Sequence, residues 1–433
     1  MLHPQIEFMS PEAIRSFQDK KLKEQLRYLQ LHSPYYQRIF REKGIDIDEI
    51  NGIEDLQKFP LTSKDQLQQF NDDFICVSKR KIIDYITSSG TLGDPVTFAL
   101  TDKDLDRLAY NEAISYDCAG INDEDTIQLM TTIDKRFMAG LAYFIGARKL
   151  GAGIVRVGAG APELQWDTIK RIKPNVLVAV PSFILKLIEF AEKNGLNFQN
   201  SSIQKIICIG EPIRQKNFEL NTLGQKITEK WDVQLFSTYA STEMSTAFTE
   251  CEAGKGGHQH PELIICEFLD DAGKPVPKGV PGELVITTLG MEGMPLLRFK
   301  TGDIVEQFEA TCTCGRNSMR IGPVLGRKQQ MIKYKGTTLY PPAIYDVLNN
   351  IKGVENYIVE VRNNEVGMDN LLIRIGLNDL ATEEDFEKVI KDHFRARLRV
   401  APDVLFENPQ KISAEQFPPK SRKPVFFLDK RSK

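Results

Sequence analysis

Thr87-Ser88-Ser89-Gly90-Thr91-Leu92-Gly93-Asp94-Pro95 gathers hydroxyls and glycines into one stretch, directly after the alternating run Ile82-Ile83-Asp84-Tyr85-Ile86. Glycines let successive backbone N–H groups converge on anionic oxygens, and the hydroxyls of Ser88, Ser89 and Thr91 add uncharged donors, so the composition suits a polyphosphate. No Lys-Ser or Lys-Thr follows the last glycine, which excludes a Walker loop; a solvated serine-glycine turn has the same composition. Two further polar clusters follow apolar runs: Ile209-Gly210-Glu211-Pro212, and Ser237-Thr238-Tyr239-Ala240-Ser241-Thr242-Glu243. Each can place a carboxylate at a ligand, or serve only as a strand-to-helix cap. A third group is soft: Cys251, His258, His260, Cys312 and Cys314 fall in two short segments. Cys-x6-His with Cys-x-Cys supplies four donors suited to tetrahedral zinc, and four protein ligands make a closed, structural site; reduced surface thiols are the alternative. Cys76, Cys118, Cys208 and Cys266 lie in apolar runs and are expected in the core.

These residues need a frame. Apolar runs at 127–130, 154–157, 176–180, 206–209 and 233–236 alternate with amphipathic stretches, the clearest being a helix over 182–194 stopped by Gly195. Strand, helix, strand at this spacing predicts right-handed crossovers and a parallel sheet, with ligands beyond the carboxyl ends of its strands. After residue 260 the period changes to two, at 263–269 and 283–288 around the turn Asp271-Ala272-Gly273, which predicts an antiparallel layer. Its exit carries Arg298-Phe299-Lys300-Thr301-Gly302-Asp303. Ile14, Phe17, Leu22, Leu26 and Leu29 predict an amphipathic helix ahead of Ser33-Pro34, and Lys64 is read as a surface cap. From 326 onward, 19 Lys+Arg stand against 15 Asp+Glu, so that part is +4 and the remainder −7. It contains expected helices at 342–350 and 382–398, the second opened by a Thr-x-x-Asp capping pattern. The fold class is therefore α/β: a large N-terminal domain of layered sheets and helices with an antiparallel subdomain (1–325), and a small α+β C-terminal domain (326–433).

Composition narrows the function. The chain of 433 residues is 41% hydrophobic and 27% charged, with a net charge of −3 and pI near 6.1. That balance gives no electrostatic case for nucleic acid, and no run of apolar residues predicts a membrane span. Met1-Leu2-His3-Pro4 opens without a basic or apolar leader pattern, so a cytoplasmic location with reduced cysteines is expected.

Taken in order, Ser88-Ser89-Gly90-Thr91-x-Gly93, Gly210-Glu211-Pro212, Tyr239-x-Ser241-Thr242-Glu243, Pro281-Gly282-Glu283-Leu284, Arg298-x-x-Thr301-Gly302-Asp303 and Gly326-Arg327 resemble the adenylate-forming superfamily of acyl-CoA synthetases. Ser33-Pro34-Tyr35-Tyr36, Pro60-Leu61-Thr62-Ser63-Lys64 and Cys312-Thr313-Cys314-Gly315-Arg316 are similar to its phenylacetate–coenzyme A ligase branch. The resemblance implies two steps. A carboxylate attacks the α-phosphorus of ATP to give an acyl-adenylate and pyrophosphate, and the thiol of coenzyme A then displaces AMP. It also implies site roles. Ser88, Ser89, Gly90, Thr91 and Gly93 hold phosphates, Glu243 binds Mg²⁺, and Gly210, Glu211 and Pro212 flank the adenine, with Tyr239 stacked on it beside Ser241 and Thr242. Asp303 accepts the ribose hydroxyls and Arg327 lies at the hinge on which the small domain turns. Phe137, with Gly210 and Ala240, borders an aryl acid. Lys423 is the catalytic lysine, with Lys420 as its rival because Arg422 replaces the family's glycine. Gln329-Gln330, Leu92 and Val96 are further departures. Cys251, His258, Cys312 and Cys314 match the zinc set, His258 better than His260. The alternatives are an adenylating enzyme with another acyl acceptor, or a non-catalytic nucleotide sensor. Oligomeric state is left open, a homodimer included.

Overall fold

The computed structural model describes residues 4–88, 96–364, 367–378, 383–418 and 424–431. Ser89, Gly90, Thr91 and Gly93 lie outside the described residues, as do Lys420, Lys423 and the expected capping threonine Thr382. The chain forms two compact units: Met1–Leu220 with Gly224–Pro323, and Asn221–Leu223 with Val324–Lys433.

In the first unit a nine-stranded sheet carries the polar clusters at 209–212 and 237–243 at or beyond its strands. Its strands are β3 (Thr126–Leu129), β4 (Gly153–Arg156), β5 (Val176–Ala179), β6 (Lys205–Cys208), β7 (Gln234–Ser241), β8 (Thr246–Glu250), β9 (Gly257–His258), β13 (Gln307–Phe308) and β14 (Arg320–Ile321); β1 (Ile82–Thr87) and β2 (Thr97–Thr101) form a separate hairpin. The order β4-β3-β5-β6-β7 is parallel, and β7-β8-β9-β14-β13 is antiparallel. The parallel strands are near-continuous apolar runs because both faces are covered. Ile127, Val176, Val178 and Ile207 pack under Tyr116, Tyr143 and Ala147 of the helices Asp102–Cys118 and Met138–Leu150. Leu177, Ile206 and Leu235 pack on the other face against Trp166, Ile184, Leu187 and Ile188 of Pro162–Ile172 and Pro181–Lys193, as period-two alternation requires.

β7 corrects the expectation of a strand-to-helix cap at 237–243. It runs parallel to β6 over 234–237 and then continues, antiparallel to β8, over 238–241. Thr238 and Tyr239 favour extended backbone, and the turn that follows returns as a strand rather than a helix. The antiparallel layer is β10 (Ile264–Leu269), β11 (Gly282–Thr288) and β12 (Phe299–Val305). Residues 299–303 are thus part of the third strand, not its exit. The N-terminal helix Pro11–His32 buries Leu22, Leu26 and Leu29. Ser33 ends it and at once caps a second helix, Pro34–Lys43, accepting from Tyr36 N. Ser63, not Lys64, is the N-cap of Lys64–Gln69, in a capping box with Gln66.

The second unit has its own core. The strands Asp403–Phe406, Asp369–Leu377, Val354–Asn363 and Phe427–Asp429 form a sheet in that order. Val359, Val361, Leu371, Ile373 and Ile375 pack with Ile344, Val347, Leu348, Ile390 and Phe394 of the helices Pro341–Asn349 and Glu383–Leu398.

Candidate functional site

β6 ends at Cys208, and two residues later Gly210 adopts a left-handed φ of 77°. Gly210 is exposed, and an added Cβ would meet only Val180 Cγ2, at 4.0 Å, so its surroundings are open. The next carboxylate is committed: Glu211 accepts from Ser182 N and Ser182 Oγ, each at 2.9 Å, on the first turn of Pro181–Lys193. An acceptor there satisfies otherwise unpaired N–H groups and suits the positive end of the helix dipole. What residues 210–212 offer a flat ring is therefore backbone and open space.

Tyr239 and Asp303 come from different sheets and are brought together: Tyr239 Oη donates to Asp303 Oδ2 at 2.6 Å. Thr301 explains the rest of that motif. Its hydroxyl donates to Leu284 O at 2.8 Å and accepts from Asp303 N at 3.1 Å, while Gly302 sits at φ 77° between them. Arg298, by contrast, is structural: buried, at φ 49°, it grips Glu267 and donates to Phe59 O at 2.6 Å.

After β7 the chain turns at 242–245, with Met244 fully buried and Ser245 left-handed at φ 48°. Glu243 rides on this turn, half-buried, and its carboxylate takes no hydrogen bond from the described residues. The turn is held from beneath by Arg107, which nothing in its sequence neighbourhood singles out. Its guanidinium is buried and donates to Ser245 O at 2.7 Å, Leu263 O at 2.6 Å, Leu289 O at 2.7 Å and Thr246 Oγ1 at 3.2 Å. Ala240 is exposed beside it, and Ser241 Oγ accepts from Met244 N at 3.3 Å.

The glycine-rich stretch is described at its two ends. Ser88 is buried; its N–H donates to Val96 O at 2.9 Å and its hydroxyl accepts from Val96 N at 3.0 Å, closing the hairpin mouth. Thr87 N donates to Arg136 O at 3.1 Å. That bond joins the stretch to a turn in which Lys135 and Arg136 are both left-handed, at φ 60° and 58°. Consecutive non-glycine residues in this region are costly and concentrate at functional sites. Phe137 follows as the N-cap of Met138–Leu150, half-buried.

The soft donors converge. Ligand atoms of Cys251, His258, Cys312 and Cys314 all lie within 4.8 Å of one another, with Cys251 Sγ to Cys312 Sγ at 3.6 Å and Cys314 Sγ to His258 Nε2 at 3.5 Å. His258 Nδ1 lies 3.3 Å from Ser318 Oγ, the outer contact that orients an imidazole whose other nitrogen faces a metal. Burial, then Arg316 and Arg320, drive the His258 pKa down to about 3, so the ring is neutral and free to ligate. At Cys312 burial pushes the thiol up, but hydrogen bonds from Cys314 and Cys251 outweigh it and hold it below its usual range. Three thiols and one neutral imidazole fit tetrahedral zinc. His260 is elsewhere: Nδ1 meets Glu7 Oε1 and Nε2 lies 3.0 Å from Ser115 Oγ. Cys118, expected as plain core, is buried against Cys251 and Cys312 and donates to Thr249 O at 3.4 Å. Cys76 and Cys208 are core, and Cys266 is partly exposed.

In the second unit Arg327 precedes the 3-10 turn Lys328–Gln330. The stretch around Lys420 and Lys423 is flanked by fixed backbone: Val425 N donates to Gln416 O at 2.8 Å, and Val359 N to Phe426 O at 2.8 Å. Arg431 binds Gln329 O at 3.0 Å and Met331 O at 2.8 Å, tying the end of the chain to the residues after Arg327.

Family comparison bears on both units. Residues 43–293 match the AMP-binding enzyme family, and residues 336–431 match the AMP-binding enzyme C-terminal domain. A phenylacetate–coenzyme A ligase from Thermus thermophilus is 31% identical over 354 residues, covering 80% of this chain and 78% of that protein. One from Aromatoleum evansii is 28% identical, over 82% of this chain and 80% of that protein. A solved structure of 2-hydroxyisobutyryl-CoA ligase in the postadenylation state shares the fold, with a TM-score of 0.84 at 23% identity over 98% of this chain and 91% of that one. The described residues include no helix long and apolar enough to cross a membrane. The chain thus belongs to the AMP-binding enzyme family and, within it, to the AMP-forming acid–thiol ligases of the phenylacetate–coenzyme A ligase branch.

Proposed function

We propose that this adenylate-forming ligase converts an aryl acid, of the phenylacetate type, into its coenzyme A thioester. Residues 1–325 bind the nucleotide and acid, and residues 326–433 bring the catalytic lysine. The observation that carries the reading is the strand β7. On it Tyr239 is bonded to Asp303, and in the turn that follows Glu243 carries a half-buried carboxylate that takes no hydrogen bond from the described residues.

Asp303, oriented by Tyr239, accepts ribose hydroxyls; residues 210–212 line the adenine with backbone. Residues 88–93 wrap the β- and γ-phosphates, and Glu243 would hold the Mg²⁺ that neutralises phosphate charge, for which one carboxylate suffices. The substrate carboxylate attacks the α-phosphorus, forming the acyl–phosphate bond as pyrophosphate leaves. The thiol then attacks the acyl carbon and AMP departs, a better leaving group than oxide. Lys423 stabilises charge developing on the α-phosphoryl and carboxylate oxygens. Phe137 stacks on the aryl ring, with Gly210 and Ala240 small enough to admit it. Cys251, His258, Cys312 and Cys314 would hold a structural Zn²⁺, whose four ligands leave no position for catalysis. The reading places the enzyme in the cytoplasm.

The test is pyrophosphate release with ATP, Mg²⁺ and a panel of aryl and aliphatic acids, with and without coenzyme A, in wild type, Lys423→Ala and Lys420→Ala. Release with an aryl acid, thioester only when coenzyme A is present, and a loss of about 10²–10³ in Lys423→Ala alone are expected. Tight ATP binding with no release across the panel sinks the ligase; release without thioester shifts the acceptor.

A further inference from the structure

Beside the Cys/His cluster, Arg316 is ion-paired to a buried carboxylate from a segment that the proposed reaction does not use. Gln5–Phe8 forms one 3-10 turn ahead of Pro11–His32, and at its centre Glu7 is 0% exposed. A carboxylate tolerates that only with compensating donors on both oxygens. One oxygen meets His260 Nδ1, and the other accepts from Arg316 Nε at 2.6 Å. The Glu7 carbonyl accepts from Asn317 N at 2.7 Å and Ser318 N at 3.1 Å, and Asn317 Nδ2 donates to Phe8 O at 3.3 Å and Met9 O at 3.1 Å. The Arg316 guanidinium lies over the Phe8 ring, 5.0 Å from its centroid.

Residues 316–318 therefore hold residues 7–9 through backbone and side chain, and two of the three, Arg316 and Ser318, also touch the cluster. Arg316 Nη1 donates to Cys314 Sγ at 3.8 Å, and Ser318 Oγ contacts His258. Arg316 Nη2 reaches Asp117 Oδ2 at 3.2 Å, so its charge is fully matched. Within 312–318 the backbone closes on itself through Cys312 N to Arg316 O at 3.0 Å and Gly315 N to Cys312 O at 2.9 Å, in a turn that has no helix or strand of its own. An ion held by Cys312 and Cys314 would add a restraint at the start of this loop that its hydrogen bonds do not supply.

We infer that the ion in this cluster anchors the N-terminal segment: by fixing residues 312–318 it locks residues 4–9 onto the body, and Glu7 and Arg316 are positioning residues for the ion in return. The inference rests on the zinc reading above. Coupling between an ion and a segment is reciprocal, so a strap that the ion holds must also hold the ion. Loss of an outer partner of a metal ligand, here Arg316 on Cys314, typically costs 10–100-fold in affinity, and Glu7 acts through Arg316, toward the lower end of that range.

The test uses the full chain. Zinc content of the purified protein is measured by mass spectrometry. Hydrogen exchange is then followed at residues 4–9 and 312–318 before chelation with EDTA, after it, and after zinc is restored. Peptides spanning 176–179 and 205–208 report whether the parallel sheet stays folded. Release of zinc to a colorimetric chelator is timed in wild type and Glu7→Gln. Exchange should rise in both segments on chelation and fall on re-addition, and Glu7→Gln should release zinc about tenfold faster. Zinc lost with residues 4–9 still protected, or wild-type release from Glu7→Gln, overturns the strap while leaving the metal site standing. Protein that contains and takes up no zinc overturns both. If chelation unfolds the sheet, the release rates from metal-loaded protein decide alone.

Discussion

Glu112 shows how far a single residue can depart from its ordinary behaviour. It is buried on the helix Asp102–Cys118, and Asn111 Nδ2, at 3.1 Å, is the hydrogen-bond donor to its carboxyl. Its Cβ lies so close to Gly146 that any larger residue there would collide with it. Burial pushes its pKa up to about 8, against a partial opposing effect of Asn111. Because the folded-state pKa lies above the unfolded one, the folded protein holds this proton more tightly. The associated stability is complete below about pH 4.5 and is lost as pH rises through 8. Glu112→Gln replaces the titrating group with an amide of the same shape. The variant should match wild type at pH 4 and exceed it by about 3–5 kcal/mol at pH 9, an upper bound from the size of the shift. Thermal unfolding of both proteins from pH 4 to 9 checks this; a difference that does not change with pH rejects it. Nothing in Asn111-Glu112 signals such a site, because desolvation is set by the helix Met138–Leu150 packing over it.

At the scale of elements, the parallel strands were legible because burial on both faces leaves a period-free apolar run, and the helices because their apolar stripe repeats every 3.6 residues. β7 was legible only in its first half. Ser237-Thr238-Tyr239 reads as a cap when only local polarity is considered; what makes it a strand is β8, which returns to pair with it. The same dependence on distant chain hides Arg107, since its four acceptors come from Ser245, Thr246, Leu263 and Leu289. A buried guanidinium held by carbonyl oxygens costs desolvation, and its geometry is specific to a planar fork that lysine cannot imitate. Arg107→Lys should therefore loosen the turn at 242–245 that carries Glu243. The expected result is a rise of about tenfold in the Mg²⁺ concentration for half-maximal pyrophosphate release, with the KM for the acid within twofold, as roughly 1.4 kcal/mol of lost positioning implies. Equal changes in both constants, tracking a fall in folded protein, would mean that Arg107 only supports the core.

For the whole molecule, the change in charge balance from residue 326 is the sequence's sign of a second body; the compact units divide between Pro323 and Val324, and Asn221–Leu223 clusters with the second. No local pattern marks that short excursion, which depends on which residues the fold brings near it. Each unit encloses its own hydrophobic cluster, the first around Leu177, Trp166 and Trp231, the second around Ile358's neighbours Tyr357 and Val359 with Phe394. Tyr239, Asp303, Gly210 and Glu243 all belong to the first unit. Arg431 belongs to the second, where it joins Asp429 and Asp369 to the carbonyls of Gln329 and Met331. A ligand that binds one folded unit stabilises that unit by mass action and leaves the other untouched. Calorimetry of the full chain should accordingly resolve two transitions. Saturating ATP at 100 times its Kd should raise the larger-enthalpy transition by the equivalent of about 2.7 kcal/mol, while Arg431→Ala lowers only the smaller one. A single transition that both perturbations move together would show that the two units unfold as one, and that the C-terminal residues gain their stability from the whole chain rather than from their own core.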